Sequence, residues 1–183
     1  MRNGDGGRSK VRLIMEVSNS PAHSGIAYYA SPLGELLITS ENDAITSVLF
    51  RKDEQRLPEH LTTVIEQGIL ELDEYFHKGR KFFTVEVNPF GTTFQKKVWN
   101  ELINIPFGKT VSYEALAIRL GDVKAIRAVG LANGQNPISI IIPCHRVIGK
   151  NGDLTGYAGG IENKEWLLYH EGSRMRQLTL DIG

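Results

Sequence analysis

The segment "IIIPCHRVIG", residues 140–149, sets Cys144, the chain's only cysteine, between Pro143 and His145, with Arg146 next in line. Thiol, imidazole and guanidinium in a row are the types that nucleophilic chemistry uses. A thiol of pKa about 8.5 is only slightly ionised at neutral pH, so an attacking sulfur needs a base or a positive neighbourhood. From these residues alone two readings stay open. Neighbouring side chains on an extended chain point in opposite directions, so adjacency does not make Cys144 and His145 a dyad. A single cysteine also serves well as a small buried hydrophobe.

Other chemistries are excluded or unsupported. One cysteine forbids an internal disulfide, and His23, His60, His77, His145 and His170 recur at no ligand spacing, so no metal site and no cofactor are expected. The 183 residues, 41% hydrophobic and 8% aromatic, are ordinary for a soluble globular protein. No apolar run approaches the roughly 20 residues of a membrane span, and no signal peptide is legible; the expected setting is cytoplasmic, or on the nucleoid in a prokaryote. The net charge is zero, but residues 1–90 carry a net of −3 and residues 91–183 a net of +3. A polyanionic partner should therefore meet the C-terminal half, although an asymmetry this small also arises by chance.

A second feature lies upstream. Residues 124–133, "KAIRAVGLAN", carry Ala125, Ala128, Gly130 and Ala132 at what would be helix surface, with Arg127 as the long projecting cation and Lys124 at the start. A helix reading bases in a major groove would present Asn, Gln, Arg or Lys instead. Small side chains permit close approach to a sugar-phosphate wall. The alternative is an Ala-rich helix packed in the core, with Arg127 in a surface ion pair.

The elements that must position these residues follow from periodicity. Residues 1–22 suggest a flexible leader, in which only "VRLIMEV" looks capable of forming an edge strand. "GIAYYA", "GELLITS" and "AITSVLF", broken by "SPLG" and "END", predict an antiparallel three-stranded meander. Between Pro58 and Gly79, Leu61, Ile65, Ile69, Leu72 and Phe76 share one helical face, and the short run "KFFTVEV" follows. A boundary is expected near residue 90, giving domains over 23–90 and 91–175 and a tail over 176–183. Thr92 or Thr93 caps a helix with Phe94, Val98, Leu102 and Ile105 on one side. Ser112 caps a helix containing Leu116 and Leu120, and Gly121 stops it. Two helices of about nine residues joined by "GDV" match a helix-turn-helix. "GKNGDLTGYAGG" makes turns, and "IENKEWLLYHEG" closes as a helix with Trp166 and Leu167 toward the core.

The blocks "FQKKVWNELINIPFGKTVSYEALA", "AIRAVGLANGQNP", "NPISIIIPCHRVIG", "GYAGG" and "KEWLLYHEG", in this order from about Thr92 to Gly172, resemble the O6-alkylguanine-DNA alkyltransferase family. The N-terminal half agrees in general pattern only. The resemblance implies an α+β fold, with a small antiparallel sheet and helix of ribonuclease H-like type, then a mostly helical domain with a winged helix-turn-helix-like motif. It implies a single-turnover methyltransferase acting as a monomer on double-stranded DNA that bears O6-alkylguanine, and leaves open whether O4-alkylthymine is accepted. The helix-turn-helix would enter the minor groove, and the damaged base would be flipped into a pocket beside the cysteine.

By resemblance, Cys144 is the nucleophile, His145 takes its proton through water, and Glu171 orients His145, in the logic of a triad. Arg127 fills the gap left in the base stack, with Lys124, Ala125 and Ala128 beside it on the DNA. Tyr113 supplies its phenol to N3 of the leaving guanine, and Asn136 braces the turn before the cysteine. Val147, Tyr157, Ala158 and Lys164 complete the pocket. Ala158 stands where some members carry serine, which leaves a backbone N–H and no hydroxyl there. Members with zinc use cysteines this chain lacks, and members fused to a regulatory domain are longer, so the stand-alone form is expected. Three rivals remain. An alkyltransferase-like binder lacks the cysteine, a helix-turn-helix regulator would carry polar base-reading residues on 124–133, and a Cys-His hydrolase would turn over esters or amides.

Overall fold

The computed structural model describes residues 24–52 and 55–174, so the expected leader, its candidate edge strand and the tail from residue 176 lie outside the described residues. The meander forms as expected: β1 (Gly25–Ser31), β2 (Gly34–Glu41) and β3 (Ala44–Phe50) are antiparallel neighbours in that order. The β2–β3 turn is the pair Asn42 and Asp43, both at positive φ, a geometry whose twist suits a two-residue hairpin and which these short polar residues tolerate. Alternation on β2 sends Leu36, Ile38 and Ser40 inward.

Helix α1 (Thr63–His77) covers that inner face with Val64, Ile65, Gly68, Glu71, Leu72, Tyr75 and Phe76, a continuous stripe at helical spacing. Ile65, Leu72 and Phe76 lie where the periodicity placed them. Leu61 instead precedes the helix and is exposed, and Ile69 is only half-buried at the edge of the stripe. The stripe includes a carboxylate because Glu71 accepts hydrogen bonds from the backbone N–H groups of Thr84 (2.7 Å) and Val85 (3.2 Å). Those amides are thereby lost to strand pairing. The run "KFFTVEV" accordingly makes only a single parallel bridge to the sheet, Val87 with Ile45.

The C-terminal part begins with α2 (Thr93–Ile103). Thr92 and Gln95 form a reciprocal capping box that satisfies two of its free N–H groups. Phe94 is exposed, whereas Trp99 is buried and donates its indole N–H to Ala132 O at 2.8 Å. Strand β4 (Val111–Ser112) leads into α3 (Tyr113–Arg119), capped by the Ser112 hydroxyl on Ala115 N. The second helix starts later than its sequence suggests. Asp122 caps a 3₁₀ turn over Val123–Ala125 by accepting from Lys124 N, and α4 runs Ile126–Gly134. Strand β5 (Val147–Ile148) pairs in parallel with β4, and α5 (Ile161–His170) closes the fold with Lys164, Leu167 and Leu168 buried and Trp166 partly so.

The two parts share one core. Val48 N donates to Pro137 O and Ser139 N to Val48 O, both at 2.9 Å, so the chain leading to Cys144 extends the sheet along β3. Among the described residues no helix is long and apolar enough to cross a membrane, and no group of three or more His, Cys, Asp or Glu could hold a metal ion.

Candidate active site

The turn that presents Cys144 is built by Asn136. Its Oδ1 accepts from Ile138 N (3.0 Å), and its Nδ2 donates to Ile142 O (2.8 Å) and lies 3.1 Å from Cys144 Sγ. One amide thus staples residues 136–144 and contacts the sulfur. The chain reverses at Ile140, which sits at φ +72°. A β-branched residue there is strained by about 1–3 kcal/mol, an expense that persists only where surrounding contacts over-determine the backbone. Cys144, His145 and Arg146 then form a 3₁₀ turn, not the extended stretch assumed from adjacency. Successive side chains on such a turn diverge by about 120°. All three are buried.

Burial raises the Cys144 thiol above its ordinary range, against the Asn136 hydrogen bond and the positive charge of Lys164, so the resting sulfur is protonated. His145 is fully buried, and its Nε2 lies 2.8 Å from Glu171 Oε1. Glu171 caps the C-terminus of α5 and also accepts from Arg146 Nε and Nη2 (2.8 and 2.9 Å), Tyr75 Oη–H (2.9 Å) and Gly108 N (3.3 Å). Burial opposes the charge on this carboxylate. The hydrogen bonds of His145 and Arg146, the Arg146 charge, and the charge that His145 gains at the low pH where Glu171 would titrate prevail and hold it well below the usual carboxylate range. Gly108 is required here, because a Cβ on it would stand 2.8 Å from Glu171 O.

An ionised Glu171 can only accept, so His145 Nε2 carries the proton and donates it in the hydrogen bond, and burial lowers the imidazole pKa so that the ring is neutral near pH 7. The neutral tautomer therefore carries its lone pair on Nδ1. That atom is buried and has no hydrogen-bond partner among the described residues. A buried base with a free acceptor atom, one residue along the chain from a buried protonated thiol, can make a thiolate on demand once a water bridges the two.

Tyr113 opens α3, with its ring against Gly130 of α4 and its hydroxyl donating to Thr155 O at 3.3 Å. Lys164 Nζ donates to the same carbonyl at 2.8 Å, and burial lowers this ammonium to about 8. Tyr113 and Lys164 together hold the loop 149–160. Tyr157 from that loop meets the edges of His145 and Phe50, and Gly159 lies so close to the Phe50 ring that a Cβ would come within 2.5 Å of it. Ala158 is exposed nearby, while Val147 is fully buried and pairs with Val111.

The helix-turn-helix presents Lys124, Arg127, Ala128, Leu131 and Gly134 to solvent, with Ala125 half-buried. Ala132 lies in the core with Val129 and Asn133, so the small-residue face is narrower than the composition suggests. Arg127 makes no ion pair among the described residues, and residues 123–135 contain no carboxylate. The structure thus brings Cys144, His145, Glu171, Asn136, Tyr113, Tyr157 and Lys164 around one centre and leaves Arg127 on an adjoining basic face. Sequence reasoning missed Tyr75 and the structural weight of Arg146. Tyr75 lies 96 residues from Glu171, and its only local signal is its place on the α1 stripe.

Two family models match. The 6-O-methylguanine DNA methyltransferase ribonuclease-like domain covers residues 26–89, and the DNA binding domain of the same family covers residues 93–173. The methylated-DNA–protein-cysteine methyltransferase of Methanosarcina acetivorans is 45% identical over 152 residues, 80% of this chain and 97% of that protein. The constitutive enzyme of Bacillus subtilis is 42% identical over 153 residues, covering 77% and 93%. Among solved structures, Mycobacterium tuberculosis O6-methylguanine methyltransferase superposes with a TM-score of 0.73 at 40% identity, covering 84% of this chain and 96% of that one. The M. tuberculosis OGT in complex with DNA gives 0.73 at 41%, covering 80% and 91%. With both halves matched in order and this identity over most of its length, the chain belongs to the 6-O-methylguanine DNA methyltransferase family.

Proposed function

We propose that the protein binds double-stranded DNA as a monomer through α3 and α4, flips an O6-alkylguanine out of the stack and takes its alkyl group irreversibly onto Cys144. The observation that carries this reading is the free acceptor atom, His145 Nδ1, on a ring anchored through Nε2 to Glu171 and next to a buried thiol. A water between Sγ and Nδ1 passes the thiol proton to the imidazole. The sulfur lone pair attacks the O6-bound carbon, the carbon–O6 bond breaks as the thioether forms, and its electrons leave on the guanine. Tyr113 donates a hydrogen bond to that anion at N3. A thioether has no hydrolytic exit, so one protein repairs one lesion.

The exposed face of α4 suits the minor groove, because Ala128 and Gly134 allow close approach and Arg127 can occupy the hole left by the departing base. A transcription regulator would need base-reading side chains on that face, and a lesion binder has no use for the thiol. Incubating stoichiometric protein with a duplex containing O6-methylguanine, and in parallel O4-methylthymine, then measuring intact mass, tests the reading. One methyl group on Cys144 is expected, and Cys144→Ala should bind the duplex without reacting. Several lesions repaired per protein molecule would refute it.

A further inference from the structure

We propose that Tyr75, which the N-terminal part contributes from α1, is a positioning residue of the proton relay: its hydroxyl donates to Glu171 Oε1 and so limits how much of that carboxylate's charge reaches His145. The proposal rests on the reading of His145 as the proton acceptor for Cys144. Oε1 receives three donors within 2.8–2.9 Å, Tyr75 Oη–H, His145 Nε2–H and an Arg146 guanidinium N–H, while Oε2 takes Arg146 Nε–H and the Gly108 amide. A carboxylate has about four lone-pair sites, so these donors compete for the same charge. Withdrawing one from Oε1 strengthens the pull of Glu171 on those that remain.

Packing alone does not call for the hydroxyl. Tyr75 is fully buried, with its ring against Phe76, Phe83, Phe107 and His170, and the adjacent Phe76 packs without a hydroxyl. The phenol stays a donor throughout the working range, because burial and the Glu171 charge push its ionisation well above the ordinary value.

The other groups facing the relay are Arg146 of the 3₁₀ turn, Lys164 of α5, Tyr157 of the loop and Cys144 itself. Burial, Arg146 and Lys164 disfavour the imidazolium, and Glu171 favours it. Removing the Tyr75 hydroxyl leaves Glu171 more strongly coupled to His145 and therefore favours the imidazolium. Since the relay needs neutral imidazole, the acid limb of the rate must move to higher pH.

The test is the single-turnover rate of Cys144 benzylation by free O6-benzylguanine as a function of pH, which avoids any contribution from DNA binding. Tyr75→Phe should move the acid limb upward and lower the rate on that limb by about two- to tenfold, the range that one hydrogen bond commands. Duplex affinity should stay at the wild-type value. Incorporating 3-fluorotyrosine at position 75, a more acidic and stronger donor, should move the limb downward, and it decides the matter if Tyr75→Phe does not fold. Wild-type limbs in both variants, or shifts opposite to these, would overturn the role of Tyr75. If His145→Ala keeps the wild-type limb, the relay reading fails and the role of Tyr75 falls with it; a limb lost in His145→Ala but unmoved in both Tyr75 variants overturns the role of Tyr75 alone.

Discussion

Glu171 illustrates how one side chain can serve chemistry and folding together. By resemblance it orients His145, and in the structure it also neutralises Arg146, whose guanidinium is buried and additionally donates to Ile105 O. Replacing the carboxylate by an amide therefore leaves a buried cation without its counter-charge, a change that costs about 3–5 kcal/mol. Glu171→Gln should lower the denaturant midpoint accordingly and also slow alkyl transfer by about 10²–10⁴, the scale of general-base contributions. His145→Ala should match the loss of rate while keeping the Arg146–Glu171 pair and most of the stability that depends on it. Denaturant unfolding and single-turnover kinetics on the same two variants separate the roles. If Glu171→Gln unfolds at the wild-type midpoint, the pair with Arg146 contributes little to folding. The roles of Cys144, His145 and Glu171 were assigned from motif resemblance, whereas the structural role of Arg146 required coordinates.

At the scale of elements, Arg127 is the test of how α4 meets DNA. It stands exposed on a helix face otherwise made of Ala128, Leu131 and Gly134. An arginine that fills the hole left by a flipped base acts only after extrusion, which costs a few kcal/mol in a duplex and nothing for a free base. Arg127→Ala should slow reaction with duplex O6-methylguanine and leave reaction with free O6-benzylguanine near the wild-type rate. Lys124→Ala, as a phosphate-type contact, should instead weaken binding to all sequences and flatten its salt dependence. Equal slowing of duplex and free-base reactions by Arg127→Ala would make Arg127 a support of the active site. The helix itself was legible, but its first turn was not. Asp122 draws Lys124 N into a 3₁₀ turn, a choice between i+3 and i+4 bonding that composition does not reveal. Elements with local signals were legible: the Ser112 cap, a threonine cap on α2 that pairing with Gln95 gives to Thr92 and not Thr93, and the turn at "END", whose Asn42–Asp43 pair the structure supplies, each carry their partners within a few residues. The turn at Cys144 was misjudged as extended because its shape is imposed by Asn136, eight positions upstream, and by the strained reversal at Ile140.

At the scale of the whole molecule, 21 basic and 21 acidic residues balance, so net self-repulsion is weak near neutral pH and buried ionisable groups set the pH dependence of stability. The charge balance and, by resemblance, the place of Lys164 in the pocket were legible in the sequence, but its burial was not, since that comes from packing α5 against the loop that Lys164 holds at Thr155. Lys164 has no exposed surface, and burial lowers it from 10.5 to about 8, against the attraction of Cys144. Below pH 8 both folded and unfolded chains carry this proton, so the penalty for the buried ammonium is fully present and flat with pH. Between about 8 and 10.5 the unfolded chain holds the proton more tightly than the folded one, so stability gains from this group as pH rises. Above that window both forms are neutral and the penalty is gone. Lys164→Met keeps the volume and removes the charge. At pH 7 it should be more stable than wild type by up to about 3 kcal/mol, less the bond lost at Thr155. The gap should close as pH rises through the window. Tyr75 and Tyr157 titrate in both proteins with the opposite effect on stability, since their folded values are raised, and they cancel to first order in the difference; the Cys144 thiol, which the Lys164 charge holds down, rises further in Lys164→Met and adds to the closing of the gap. Denaturant unfolding of both proteins from pH 7 to 10.5 reads the gap directly; a difference that stays constant across that range would mean that Lys164 is not a strained cation in the folded protein.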